Sequence, residues 1–248
     1  MKIIRFGISF LLLFISLHVF AWFPNTDPTR HNLRNEEIYN AFLRDDKGVW
    51  KDEIMRLSSQ KGSECGEIRQ LMNLYYGYIG WCIRDGNKNE GIIALEKMKD
   101  LQERDGSRCL AENEAKLYYA ARLAFSILLG KEKGMIAGPR CMRLVKEVRE
   151  KEPDNYFAFI LQGNIHLNMP GIFGGSKKKA IENFRKAEAL MVKQHRLLKD
   201  WEYIHLLCVT GLTYQILGNE KAAKEYGNRI LKEAPGMIWA QETFGSSN

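Results

Sequence analysis

The side chains able to do chemistry are few and scattered. The chain carries five His and five Cys, of which His31, His166, His195 and His205 follow the first 21 residues. None forms an H-E-x-x-H pair or accompanies a C-x-x-C motif, the spacings that bring two metal ligands to one helix face or knuckle. No G-x-S-x-G elbow and no Walker loop occurs. The run Gly171-Ile172-Phe173-Gly174-Gly175 lacks the dinucleotide fingerprint and joins helix to helix rather than strand to helix. Glu220, Glu225 and Glu233 read as solvated helix faces, and Met and aromatic residues at helical spacing read as core. The pattern predicts no catalytic residues, no metal site and no cofactor.

The cysteines divide by setting. Cys82, Cys141 and Cys208 fall in apolar helical stretches and read as buried free thiols. Cys65 and Cys109 fall in polar segments, each ahead of the first helix of a pair. In an oxidising compartment they have two readings, a bond between them or two free thiols. A bond would close the loop 65–109 and contribute about 4 kcal/mol in the chain-entropy model.

The elements that must position these residues are helical. With 248 residues, 45% apolar, 27% charged and only 6 Pro, the composition excludes wholesale disorder and a polytopic membrane protein. The net charge is +7. Its only tight basic run is Lys177–Lys179, too sparse for a nucleic-acid-binding stripe. Lys2 and Arg5, an apolar stretch from Phe6 to Phe20, and Val19 and Ala21 at −3 and −1 have the form of a signal peptide over 1–21, cut before Trp22. An apolar stretch of about 15 residues is short of the ~20 that span a bilayer. No Cys stands at the cut, so there is no lipobox. A periplasmic or secreted protein with no stable membrane anchor after cleavage is expected. Residues 22–34 read as an extended leader, and 35–248 as a single helical-repeat domain.

Leu74-Tyr75-Tyr76-Gly77 recurs 43 positions later as Leu117-Tyr118-Tyr119-Ala120. Each stretch opens a long apolar helix that runs to Gly86 or Gly130 and is followed by a second, amphipathic helix. A third pair has Gly163 and His166, then Ala180, Phe184 and Ala187. A fourth has Gly211 and Tyr214, then Ala222, Ala223 and Tyr226, and stops at Pro235. Met237 to Phe244 would cap it. These positions resemble the tetratricopeptide pattern, W-x2-L-G-x2-Y, A-x3-F, P. The resemblance implies an all-α fold, with tetratricopeptide-like helical hairpins stacked into a short right-handed solenoid around one continuous core. In the first pair the close-contact position falls on Ile79, or on Gly80 after a one-residue slip.

One segment adds to the generic repeat, Met169-Pro170-Gly171-Ile172-Phe173-Gly174-Gly175-Ser176-Lys177-Lys178-Lys179-Ala180. An insertion of the form P-x3-G-G-[SD]-x2-K-A resembles the periplasmic T-component of tripartite ATP-independent periplasmic (TRAP) transporters. A similar insertion occurs in eukaryotic regulators of microtubule dynamics. The close match covers about residues 155–192 and implies an all-helical periplasmic protein that docks a substrate-binding protein. The residues themselves read as a turn. Pro170 disfavours helix at Met169, the Gly pair permits positive φ, and Ser176 is suited to N-cap the next helix. The first turn of that helix could take an anion, or the segment is a solvated turn whose glycines serve geometry alone.

The repeat register puts Asn73, Tyr76, Lys116, Tyr119, Phe157, Ile160, Asn164, His205 and Gln215 on a concave face lined by first helices, with Tyr76 and Tyr119 side by side. The expected function is a non-catalytic scaffold binding a protein or peptide partner. The alternative is a transporter accessory subunit of the T-component kind. No nucleic-acid partner is expected, and a homo-oligomer is compatible with the sequence.

Overall fold

The computed structural model describes residues 28–60, 63–194 and 199–244, with side chains from Asn35 onward. The signal segment 1–21, residues 22–27 of the leader, and the side chains of His31 and His195 lie outside the described residues. The described residues form eleven α-helices and one 3-10 turn, with no strand. In chain order these are α1 (Pro28–Leu43), α2 (Lys47–Ser59), α3 (Cys65–Arg84), α4 (Lys88–Cys109), α5 (Glu112–Leu128), α6 (Gly134–Lys151) and α7 (Tyr156–Asn168). The 3-10 turn Gly171–Phe173 follows, then α8 (Lys177–Lys193), α9 (Trp201–Ile216), α10 (Glu220–Glu233) and α11 (Ile238–Phe244). Residues 28–34, expected to be part of an extended leader, are helical, because Pro28 suits the first helical position, where a missing N–H costs nothing.

Consecutive helices pack as antiparallel pairs, α1 with α2, α3 with α4, α5 with α6, α7 with α8, and α9 with α10. The first helices α3, α5 and α7 also touch in succession. One turn recurs. The second residue after the helix takes positive φ (Asp45 57°, Gly86 71°, Gly130 73°, Gly218 71°). The next N–H then reaches five residues back, Asp46 to Ala41 and Asn87 to Cys82 at 2.8 Å, Lys131 to Ser126 at 2.8 Å, Asn219 to Tyr214 at 3.0 Å. This is the Schellman closure. The α7–α8 connection repeats it one step later, after the 3-10 turn. Gly174 has φ 96°, and the Gly175 N–H bonds Pro170 O at 3.1 Å while the Ser176 N–H bonds His166 O at 2.9 Å. A Cβ on Gly175 would lie 1.8 Å from Met169 O, so the second glycine has no substitute. The Ser176 hydroxyl caps α8 by accepting from the Lys179 N–H at 3.3 Å.

Within the pairs, small residues set how closely the helices approach. A Cβ on Gly163 would lie 2.3 Å from the ring of Phe184, which is fully buried. On α3 the tight glycine is Gly77, where a Cβ would meet Trp50 of α2 and Trp201 of α9 at 2.9 Å, contacts outside its own pair, whereas Gly80 has open space. The buried residues form one cluster from Ile38 to Ala240. Two boundaries run further than the sequence pattern suggests. The amphipathic stretch Glu90–Glu103 extends to Cys109, and Pro139 lies inside α6, which begins at Gly134. Cys65 and Cys109 are accordingly the first residue of α3 and the last of α4 rather than loop residues. They are joined by a disulfide, with Cα atoms 4.7 Å apart. Cys82, Cys141 and Cys208 are buried free thiols.

Candidate functional site: a funnel at the amino-terminal ends of the first helices

Antiparallel pairing sends the first helices in one direction, so their N-termini gather at one end of the molecule. There a cavity of about 1170 Å3 opens, lined by residues from α1, α3, α5, α7 and α9. Its mouth is charged. Lys199 meets Glu36 at 2.5 Å, and Arg69 of α3 meets Glu114 of α5 at 3.2 Å. The Glu152 carboxylate accepts from Asn113 at 2.7 Å and from Asn155 at 2.8 Å, and both bonds hold it below the usual carboxylate range. The helix starts that shape the rim are capped. Asp200 accepts from the Glu202 N–H at 2.9 Å and Asn155 from the Ala158 N–H at 3.2 Å.

The floor of the funnel is a junction between α3 and α9. Asn73 uses both ends of its amide. Its Oδ1 accepts from Trp201 Nε1–H at 3.1 Å, and its Nδ2 donates to the buried Glu202 carboxylate at 2.9 Å. The Tyr156 hydroxyl also donates to Glu202, at 3.3 Å. The Tyr118 ring packs on Phe157 with centroids 5.4 Å apart. Burial first, and the Glu202 charge second, push the hydroxyls of Tyr76 and Tyr118 well above the ordinary tyrosine range, so both stay neutral.

Below this floor α9 occupies the space that the repeat register leaves as an open groove. Trp201 stands 5.0 Å from Trp50 and 5.8 Å from Phe42, centroid to centroid, and Gly77 leaves room for both indoles. The nine residues assigned to one concave face are therefore divided. Asn73 and Phe157 line the funnel. Tyr76 and Ile160 are buried, and the Asn164 side chain donates to the Tyr76 hydroxyl at 3.3 Å. His205 packs edge-on to Phe42, with centroids 6.4 Å apart. Burial, then the charge of Arg84, push its imidazole down to about 4. Lys116 and Tyr119 line a separate hollow of about 460 Å3, where Arg140 lies 4.8 Å from the Tyr119 ring centroid. Gln215 is exposed in the last turn of α9, at the opposite end. The Tyr76 ring packs on Phe125 and Phe157, with centroids 5.4 and 5.2 Å away, whereas the Tyr119 ring lies against Arg122 and Arg140. It is Tyr118 that reaches Phe157, a shift of one residue and thus about 100° around α5.

The residues missed were Tyr118, Trp201 and Glu202. A signal for α9 was present, because Trp201, Tyr203, Ile204, Leu206, Leu207 and Cys208 are apolar on every side of the helix. Such a helix must be covered all round and cannot serve as an outer wall. His166 is buried, and its Nδ1 lies 3.2 Å from Gly174 O. It thus supports the loop rather than a ligand. Among the described residues, no three of His, Cys, Asp and Glu are grouped so as to hold a metal ion. Fold and site define an all-α protein of paired helices around a funnel. No family model, curated protein or solved structure matches the chain.

Proposed function

We propose that the chain is an exported, non-catalytic binding module of tetratricopeptide-like hairpins that takes a segment of a partner protein into the funnel. The observation that carries this reading is the 1170 Å3 cavity, to which five helices contribute side chains. Small-ligand pockets run to about 300–1,000 Å3, so this space suits a stretch of polypeptide better than a metabolite. Its floor presents aromatic rings and the Asn73–Glu202–Tyr156 set, the mix of anchors and fixed polar groups found at the centre of protein interfaces. The T-component resemblance supports a narrower version in which the partner is a substrate-binding protein and the chain is a transporter accessory subunit.

Site-specific photocrosslinking in the native host tests it. A crosslinker at Gln70, on the funnel wall, should capture a defined partner. The same group at Lys146, exposed on α6, should not. Equal capture from both positions, or none from Gln70, overturns the reading.

A further inference from the structure

We infer that the edge of the molecule opposite the funnel docks on an anionic lipid bilayer. Among the described residues eleven large apolar side chains stand exposed, and six of them lie on three successive hairpin turns. Met135 and Ile136, 75% and 74% exposed, follow the α5–α6 turn. Ile172 and Phe173, 87% and 54%, form the α7–α8 turn. Ile216 and Leu217, 62% and 40%, form the α9–α10 turn. Because the first helices run parallel to one another, all three turns lie at their C-terminal ends, at one edge.

The same turns are basic, containing Lys131, Lys133, Lys177, Lys178, Lys179 and Lys221 against Glu132 and Glu220. Lys131 pairs with Glu96 and Lys177 bonds Leu167 O, while Lys178 and Lys179 are exposed in the first turn of α8. The second helices α6, α8 and α10 begin at this edge, so their unbonded N–H groups also point toward an anionic surface.

The form of the patch selects a bilayer over a protein. A protein partner is met by a contiguous, close-packed apolar core with a polar rim. Here the apolar side chains are on separate turns, with lysines between them in sequence. Shallow apolar insertion combined with a cluster of basic residues is what peripheral membrane binding requires. No helix among the described residues is long and apolar enough to cross a membrane, so the contact lies in the interface. In this orientation the funnel mouth faces away from the bilayer and stays open.

Vesicle co-sedimentation of the full chain tests the inference. Vesicles of equal parts phosphatidylglycerol and phosphatidylcholine should bind the protein, and vesicles of phosphatidylcholine alone should bind it at least tenfold more weakly. One basic residue near an anionic surface is worth about fivefold in affinity. Lys178→Glu with Lys179→Glu should therefore weaken binding by more than tenfold, and 0.5 M salt should do the same to the parent protein. Ile172→Ser with Phe173→Ser should also cost at least tenfold, whereas Val192→Ser, exposed at the other end of α8, should change nothing. Circular dichroism confirms that each variant is folded. No binding to the anionic vesicles, equal binding to both vesicle types, or unchanged binding of the turn variants overturns the inference.

Discussion

Gly163 offers a direct test of how α7 and α8 fit together. Gly163→Ala adds a methyl group that would lie 2.3, 2.5 and 3.0 Å from three ring carbons of Phe184. Carbon atoms sit comfortably at about 3.5–4.0 Å, so the ring or the helix must move by about 1 Å. Phe184 is fully buried, and Ala180 and Ala187 on the same face of α8 are buried too. The ring has nowhere to go without parting the pair. Overpacking of this kind costs about 1–3 kcal/mol. Alanine in a helix interior returns about 1 kcal/mol relative to glycine. The net loss should reach about 2 kcal/mol, which for a chain of this length lowers the thermal midpoint by up to roughly 8 °C. Gly163→Leu should cost more. Gly80→Ala is the matched control, since no heavy atom lies within 4 Å of its Cβ position, and the propensity gain should raise the midpoint by about 2–4 °C. Glu182→Leu, at an exposed position of α8, should be near neutral. Phe184→Leu should recover part of the Gly163→Ala loss in the double variant, because the two substitutions share one contact. Thermal unfolding followed by circular dichroism reads all five. If Gly163→Ala melts as high as Gly80→Ala, the packing argument and the register built on it are wrong.

Two further outcomes follow from the same structure. His205 is held down to about pKa 4 in the folded protein, by burial first and by Arg84 second, against about 6.5 in an unfolded chain. The unfolded state therefore binds the proton first as pH falls, so stability should decline from about pH 6.5 to about pH 4 and level off below. The loss should be on the order of 3 kcal/mol. Guanidinium midpoints measured across pH 4–7 should show a shallower fall for His205→Phe, and parallel curves would refute the assignment. In the oxidised protein Cys65 and Cys109 should resist alkylation as a linked pair. Cys82, Cys141 and Cys208 should react only on unfolding, because burial pushes the Cys82 and Cys141 thiols up to about 11 and about 12. Cys65→Ser with Cys109→Ser should lower the unfolding free energy by about 4 kcal/mol.

Local rules were written in the chain. Asp46, Asn155, Ser176, Asp200 and Asn219 each cap a helix, and the turns at Gly86, Gly130 and Gly218 depend on backbone freedom that a neighbour cannot supply. Period and punctuation thus determined that the protein is helical, where the pairs turn, and that Gly163 must be small. What they leave open is how far each helix is rotated and how far the array curls. Those are settled by side chains distant in sequence. Trp201 meets Trp50 and Asn73, and Glu202 meets Asn73 and Tyr156. A repeat register relates neighbouring helices, and a rotation of one residue, about 100°, carries Tyr119 off the inner face and Tyr118 onto it. The tertiary structure alone decided that α9 folds in to form the floor, because covering an all-apolar helix and satisfying one buried carboxylate are requirements of the whole assembly, not of any repeat within it.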